Sequence, residues 1–183
     1  MVISVRGASD GAEQGVLLAG EQDIVMINFN YRLGIFGFSG VGVKQNLGLL
    51  DQRLLVEWVR DNAAAFDGDP TRITLFGHGA GGASVDLYSY AWRDDPIVAG
   101  TTPMSGTATS FGHRTAKTGL EAWELTAKLL DYEDSKSTSN SAVMNCMRQK
   151  TTEQVFNASL TAGDNLTAIL PTLEQFYVST TGI

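Results

Sequence analysis

TRITLFGHGAGGASV, residues 71–85, runs from a short apolar stretch through four glycines into a helix-like segment. Arg72 to Phe76 has the residue types of a buried strand, and Ala80 to Trp92 reads as a helix with a glycine-rich first turn. A strand that turns through glycine straight into a helix is the repeating unit of α/β proteins, whose parallel strands are joined by crossover helices.

The flanks extend that pattern. Asp23 to Phe29 is a nearly continuous apolar run, which suits a buried strand of a parallel sheet rather than a half-exposed one. Ser9 is placed to cap a helix from about Asp10 to Gly20. Residues 30–45, with glycines at 34, 37, 40 and 42, form a loop too long for a simple turn. Asn46 then caps a helix to about Ala65, with Leu47, Leu50, Leu54 and Trp58, flanked by Leu55 and Val59, as its apolar stripe. Asp67-Gly68-Asp69-Pro70 ends it with turn chemistry. A short third strand is expected over about Ile97 to Met104, and helices over about 117–130, 141–150 and 153–157. Residues 131–140 read as a polar, Ser-rich surface loop. The fold class is therefore α/β, a mostly parallel sheet with flanking helices.

Composition narrows the function. The 183 residues are 43% apolar and 18% charged, ordinary for a globular domain. A formal charge of -7 argues against nucleic acid, which demands a basic face. The most apolar stretch, Ile24 to Phe29, is far too short to span a bilayer. His78 and His113 are isolated, so no metal cluster is expected, and the single Cys146 excludes an intrachain disulfide. Asn157 and Asn165 stand in N-glycosylation sequons that only a secretory lumen would use. The first residues, MVISVRGASDGAEQG, are too short and polar for a signal peptide, so the chain as given would remain cytoplasmic.

Gly77-His78-Gly79-Ala80-Gly81 has the form of a G-x-S-x-G nucleophile elbow with glycine in the serine's place. Around it, NFNYRLGIFGF (28–38), NLGLLDQRLLVEW (46–58) and GDPTRITLFG (68–77) closely resemble the type-B carboxylesterases, the cholinesterase family. AGGASVDLYSY (80–90) and MSGT (104–107) look like its fungal branch. The resemblance is dense from 8 to 107 and thins through the helical remainder, 115–183. It implies an incomplete α/β-hydrolase domain over 1–183, carboxylic-ester hydrolysis by a Ser–Glu–His triad, a small-molecule ester substrate, secretion, and no cofactor.

Carried over residue by residue, Gly79 holds the nucleophile's position and Ala80 supplies a backbone N–H to the oxyanion hole. His78 stands where the family usually has Glu or Gln. The family's glycine-rich oxyanion loop falls ahead of Met1, and its acid and histidine beyond Ile183. The resemblance thus implies a truncated, inactive esterase. Cys146 matches a family disulfide cysteine whose partner is absent near Leu130, so a buried free thiol is expected.

Other residues compete for the missing role. Ser84 lies in the helix, more than a turn past the elbow. Ser105 matches a family residue that packs near the site rather than attacking. His113 reads as a solvated loop histidine. Two further readings follow. Complete family members can lose the triad and act as binding or adhesion modules, with a protein partner that the sequence leaves unknown. A partial sheet with open edges counts against that, since it predicts an insoluble or molten chain. Gly77 to Gly82 also fits G-x-G-x-x-G of dinucleotide-binding folds. Asp94 and Asp95 have roughly the spacing of the ribose-binding acid, but they precede the expected strand rather than end it.

Overall fold

The computed structural model describes residues 1–5, 15–38, 46–110, 116–132 and 140–162. They fall into two compact units, one holding the described residues of 1–31 and 49–112, the other those of 32–48 and 113–162.

The first unit holds strands β1 (Val2–Ser4), β2 (Met26–Asn28), β3 (Thr74–His78) and β4 (Gly100–Met104). All pairings are parallel, in the order β2-β1-β3-β4. Among the described residues there are four strands where sequence suggested three, because Val2–Ser4 is too short to declare itself yet pairs with β2 and β3. The run around Ile27 is a strand, but it pairs only with β1 among the described residues and its three residues are half-buried. Ile27 packs partly buried against the core. β4 begins at Gly100 rather than Ile97. Ahead of it the Val98 N–H donates to the Pro96 carbonyl at 2.6 Å, and Ile97 takes φ 59°, a backbone state costly for a β-branched residue.

Helices α1 (Val16–Gln22), α3 (Leu47–Asn62) and α4 (Ala80–Ala91) accompany this sheet, and a short α2 (Gly34–Gly37) lies within the expected loop. The Ser9 cap lies outside the described residues, and α1 is entered through Gly15. Asn46, just before α3, takes φ 55°, a left-handed state that asparagine tolerates better than most residues. A 3-10 turn, Ala63–Phe66, continues α3 and Asp67 closes it at φ 55°. The Asp69 carboxylate then accepts from the Thr71 N–H at 2.8 Å and from Arg72 Nε at 2.8 Å, which locks the turn into β3.

α3 buries a different face from the expected one. Leu49, Gln52, Arg53, Val56, Val59 and Ala63 are inside, while Leu54 and Trp58 are 65% and 49% exposed. Gln52 and Arg53 interrupt the buried arc with polar letters and so conceal it. Arg53 is tolerated because its N–H groups are met: Nε by Glu57 at 2.7 Å, Nη1 by the Tyr88 hydroxyl at 2.9 Å and the Asp95 carbonyl at 2.6 Å, Nη2 by the Asp95 carboxylate at 2.5 Å. Its guanidinium also lies 5.9 Å and 5.6 Å from the ring centroids of Tyr88 and Trp92. The Tyr88 hydroxyl in turn donates to the Pro96 carbonyl at 2.8 Å. This network fastens the segment between α4 and β4 to α3, within a core formed by Ile3, Val5, Val56, Ile73, Leu75 and Val85.

The second unit contains α2, α5 (Ala116–Leu129), α6 (Asn140–Arg148) and α7 (Thr152–Thr161), with Ile35, Trp123, Ala127, Met147 and Val155 in its core. α7 opens on a capping box, in which the Gln154 N–H donates to Thr151 Oγ1 at 3.2 Å and the Thr151 N–H to Gln154 Oε1 at 2.8 Å. It runs four residues past the expected Asn157. Ser159 and Thr161 bond back to helix carbonyls, and buried Ala158 and Ser159 fix the last turn. Cys146 is free and half-buried rather than fully buried.

Candidate functional site

The candidate site lies where β3 ends and α4 begins, at the carboxyl edge of a parallel sheet, the usual place for chemistry in such folds. His78 is the last residue of β3 and pairs with Met104 of β4. Gly79 then reverses the chain at φ 59°, ψ -119° and caps α4. Its N–H donates to the Met104 carbonyl at 2.9 Å, and its own carbonyl accepts from the Ala83 N–H at 3.0 Å. A side chain at this φ is strained, yet a β-carbon built on Gly79 meets nothing within 4 Å. The turn has room for a side chain and none is there.

The surrounding glycines have the opposite property. A β-carbon on Gly77 would run into the Gly81 backbone, and one on Gly106 into the Gly79 carbonyl. One on Gly82 would lie 2.6 Å from the Met104 carbonyl oxygen and 2.9 Å from that of Gly106. Strand, helix start and the segment after β4 therefore touch backbone to backbone. The Asp86 carboxylate adds a tie from α4 by accepting the Ala108 N–H at 2.8 Å. Gly77, Gly79 and Gly82, the three glycines of the G-x-G-x-x-G pattern, thus each have a packing or conformational reason that involves no nucleotide.

Ala80, an exposed residue, is the first of α4, so its N–H has no acceptor further back in the helix and lies at the helix's positive end. Ser105, expected to pack, is instead exposed at the end of β4 with φ 52°. β4 passes directly into the close Gly79–Gly106 contact, and the left-handed residue makes that bend. Ser84 is buried and shares a hydrogen bond with Tyr31, whose phenol is held above its ordinary pKa by burial and pulled back in part by that bond. Tyr88 is pushed up to about 12, by burial first, with the Arg53 cation opposing.

Asp95 is the ion-pair partner of Arg53, and both Asp94 and Asp95 precede β4. His113 and Asn165 lie outside the described residues. Asn157 is exposed on α7, while Ser159 of its sequon is buried with its hydroxyl donated to the Phe156 carbonyl at 2.8 Å. Among the described residues no group of three or more His, Cys, Asp and Glu side chains could hold a metal ion, and no helix is long and apolar enough to cross a membrane. What sequence reasoning missed is the Arg53–Tyr88–Asp95 network and the left-handed Ser105. Neither has a local pattern, since each depends on residues brought together by the sheet.

Comparison with known proteins agrees with this geometry. A model of the carboxylesterase family matches residues 4–180. Secreted lipase 5 of Gibberella zeae is 50% identical over 93 residues, 48% of this chain and 17% of that protein. Carboxylesterase 1E of Mus musculus is 34% identical over 149 residues, 80% of this chain and 26% of that protein. Neuroligin-2 of Mus musculus is 34% identical over 145 residues, 77% of this chain and 17% of that protein. The chain thus spans about a quarter or less of the length of these relatives.

Proposed function

The chain belongs to the carboxylesterase family, and from that premise we propose that its β3–α4 turn is a nucleophile elbow without a nucleophile. In serine-ester chemistry the hydroxyl oxygen attacks the ester carbonyl carbon while a base takes its proton. The resulting oxyanion is held by backbone N–H groups, and collapse expels the alcohol. Gly79 has no oxygen to form that bond. The Ala80 N–H remains as an oxyanion donor, but residual catalysis after loss of a triad serine depends on an intact oxyanion hole and binding site, and one N–H does not make them. The observation that carries this reading is the Gly79 backbone, turned as at φ 59°, ψ -119° and clear of neighbours, with no side chain on it.

No neighbour replaces it. Ser84 is buried against Tyr31, and no histidine or carboxylate is hydrogen-bonded to Ser105 among the described residues. The chain is accordingly an incomplete α/β-hydrolase domain, inert toward the carboxylic esters of its family. The family match running through both compact units supports a single domain. Secretion is supported by the likeness to a secreted lipase, and Asn157 and Asn165 would then carry N-glycans. Because the Ser159 hydroxyl is engaged in folded α7, glycan addition at Asn157 would precede folding.

Hydrolysis of p-nitrophenyl butyrate tests the reading. Rates equal to the protein-free blank are expected, and turnover abolished by a serine-directed phosphonate would sink it. A non-catalytic binding module is the second reading, favoured by the 34% identity to Neuroligin-2. It requires a sharp, cooperative thermal transition of the isolated chain. A broad, non-cooperative melt would remove it.

A further inference from the structure

Asn157, the sequon residue on α7, also lines a cleft of about 360 Å3 between the end of α5 and α7. Buried Leu130 and Ala158 give the cleft an apolar floor, and Asp131, Lys150 and Gln154 give it a polar rim.

The polar groups of this rim are not engaged with one another. Asp131 and Lys150 carry opposite charges in one cleft, yet neither forms an ion pair among the described residues. Gln154 Oε1 accepts the Thr151 N–H at 2.8 Å, which holds that side chain in place. Its NH2 group, like the side-chain amide of exposed Asn157, has no hydrogen bond among the described residues. An anion in the cleft is disfavoured by Asp131 and a cation by Lys150. Both are satisfied by a neutral group that donates and accepts at once and has an apolar side for the floor. A sugar ring with an N-acetyl group has that chemistry. Small-molecule pockets run from about 300 to 1,000 Å3, so this cleft takes one ring rather than a chain of them.

We propose that the cleft seats the first N-acetylglucosamine of a glycan on Asn157 and so fastens the end of α5 to α7. The inference depends on the chain's proposed secretion. In the attachment, Asn157 Nδ2 loses one proton and bonds to C1 of the sugar, as that carbon leaves its lipid-diphosphate carrier. The linkage then supplies the affinity that an open cleft lacks, because so short a tether gives an effective concentration in about the millimolar range. The C–H face of the ring lies on Leu130 and Ala158, while its hydroxyls donate to Asp131 and accept from Lys150.

The test uses the full chain with 13C-labelled leucine methyls, directed to the secretory lumen behind a cleavable leader. Seating is thereby tested apart from natural secretion, whose own failure shows as sugar-free chain in the native cells. Endoglycosidase H trims each glycan to one N-acetylglucosamine, and peptide mapping reports which sequons carry it. Nuclear Overhauser contacts are expected from the Asn157 sugar to the Leu130 methyls, which Leu130→Ile assigns. On the untrimmed chain, the double variant Asp131→Asn, Lys150→Gln should speed peptide N-glycosidase release at Asn157 about tenfold, the effect of losing one or two hydrogen bonds. Release at Asn165 should keep its rate. The proposal is overturned by an Asn157 without sugar, by no contact to Leu130, by an unchanged release rate, or by equal acceleration at both sequons.

Discussion

Around Gly79, three glycines leave no room for a β-carbon, whereas beside α5, α6 and α7 about 370 Å3 stays unfilled. The elbow is backbone pressed on backbone, so its geometry is set by Gly77, Gly82 and Gly106 and by the hydrogen bond from the Gly79 N–H to Met104. The residue at its apex contributes no packing. A nucleophile can therefore be absent while the turn that would present it persists. In the helical unit the shape depends on side chains, and among the described residues these leave the buried Trp123 indole N–H without an acceptor. Adding one carbon should thus have opposite consequences in the two places.

The largest effect is expected for Gly106→Ala. Its β-carbon meets the Gly79 carbonyl oxygen and lies 2.9 Å from that carbonyl's carbon, so overpacking should cost about 3 kcal/mol in urea unfolding. An unchanged midpoint would break the account of a backbone-tight elbow. A second effect separates the units by pH. With its folded pKa near 12 against 10.0 unfolded, Tyr88 keeps its proton in the fold after the unfolded chain has lost its own. Stability should therefore fall as pH rises from 10 to 12 and level off above. Tyr31, raised in the same direction, adds to the slope. Tyr88→Phe should flatten the curve, and an unaltered slope would show that Tyr88 is not its source.

Gly79→Ser comes next. With open space around the new atom the cost is conformational only, about 1 kcal/mol for a strained φ. Loss of the fold in this variant would mean that the apex does contribute packing. The smallest effect is Val155→Ile at the cavity wall, expected to stabilise by about 0.5 kcal/mol through cavity filling. A destabilisation there would show that the chamber is already full.

Much of the sheet was legible because β3, α4 and the apolar run at β2 follow simple periodicities, and glycine spacing announced the elbow. Other elements were hidden for identifiable reasons. β1 has three residues, and its strand character comes from its two neighbours. The buried face of α3 carries Gln52 and Arg53, so the exposed Leu50, Leu54 and Trp58 made the more persuasive stripe. Ser105 was expected to pack only because it matches a family residue that does, and its left-handed bend, next to the Gly106–Gly79 contact, had no local sign in the sequence. Gly79 as the apex of the strand-to-helix turn was readable in one dimension. The room around it and the tightness of its neighbours were not.

Labelling tests the central claim most directly. The chain is incubated with a serine-directed fluorophosphonate and its intact mass is measured. An elbow without a nucleophile predicts the unmodified mass. One phosphonyl group per chain, located by peptide mapping to Ser84, Ser105 or any other residue of the β3–α4–β4 region, would contradict it.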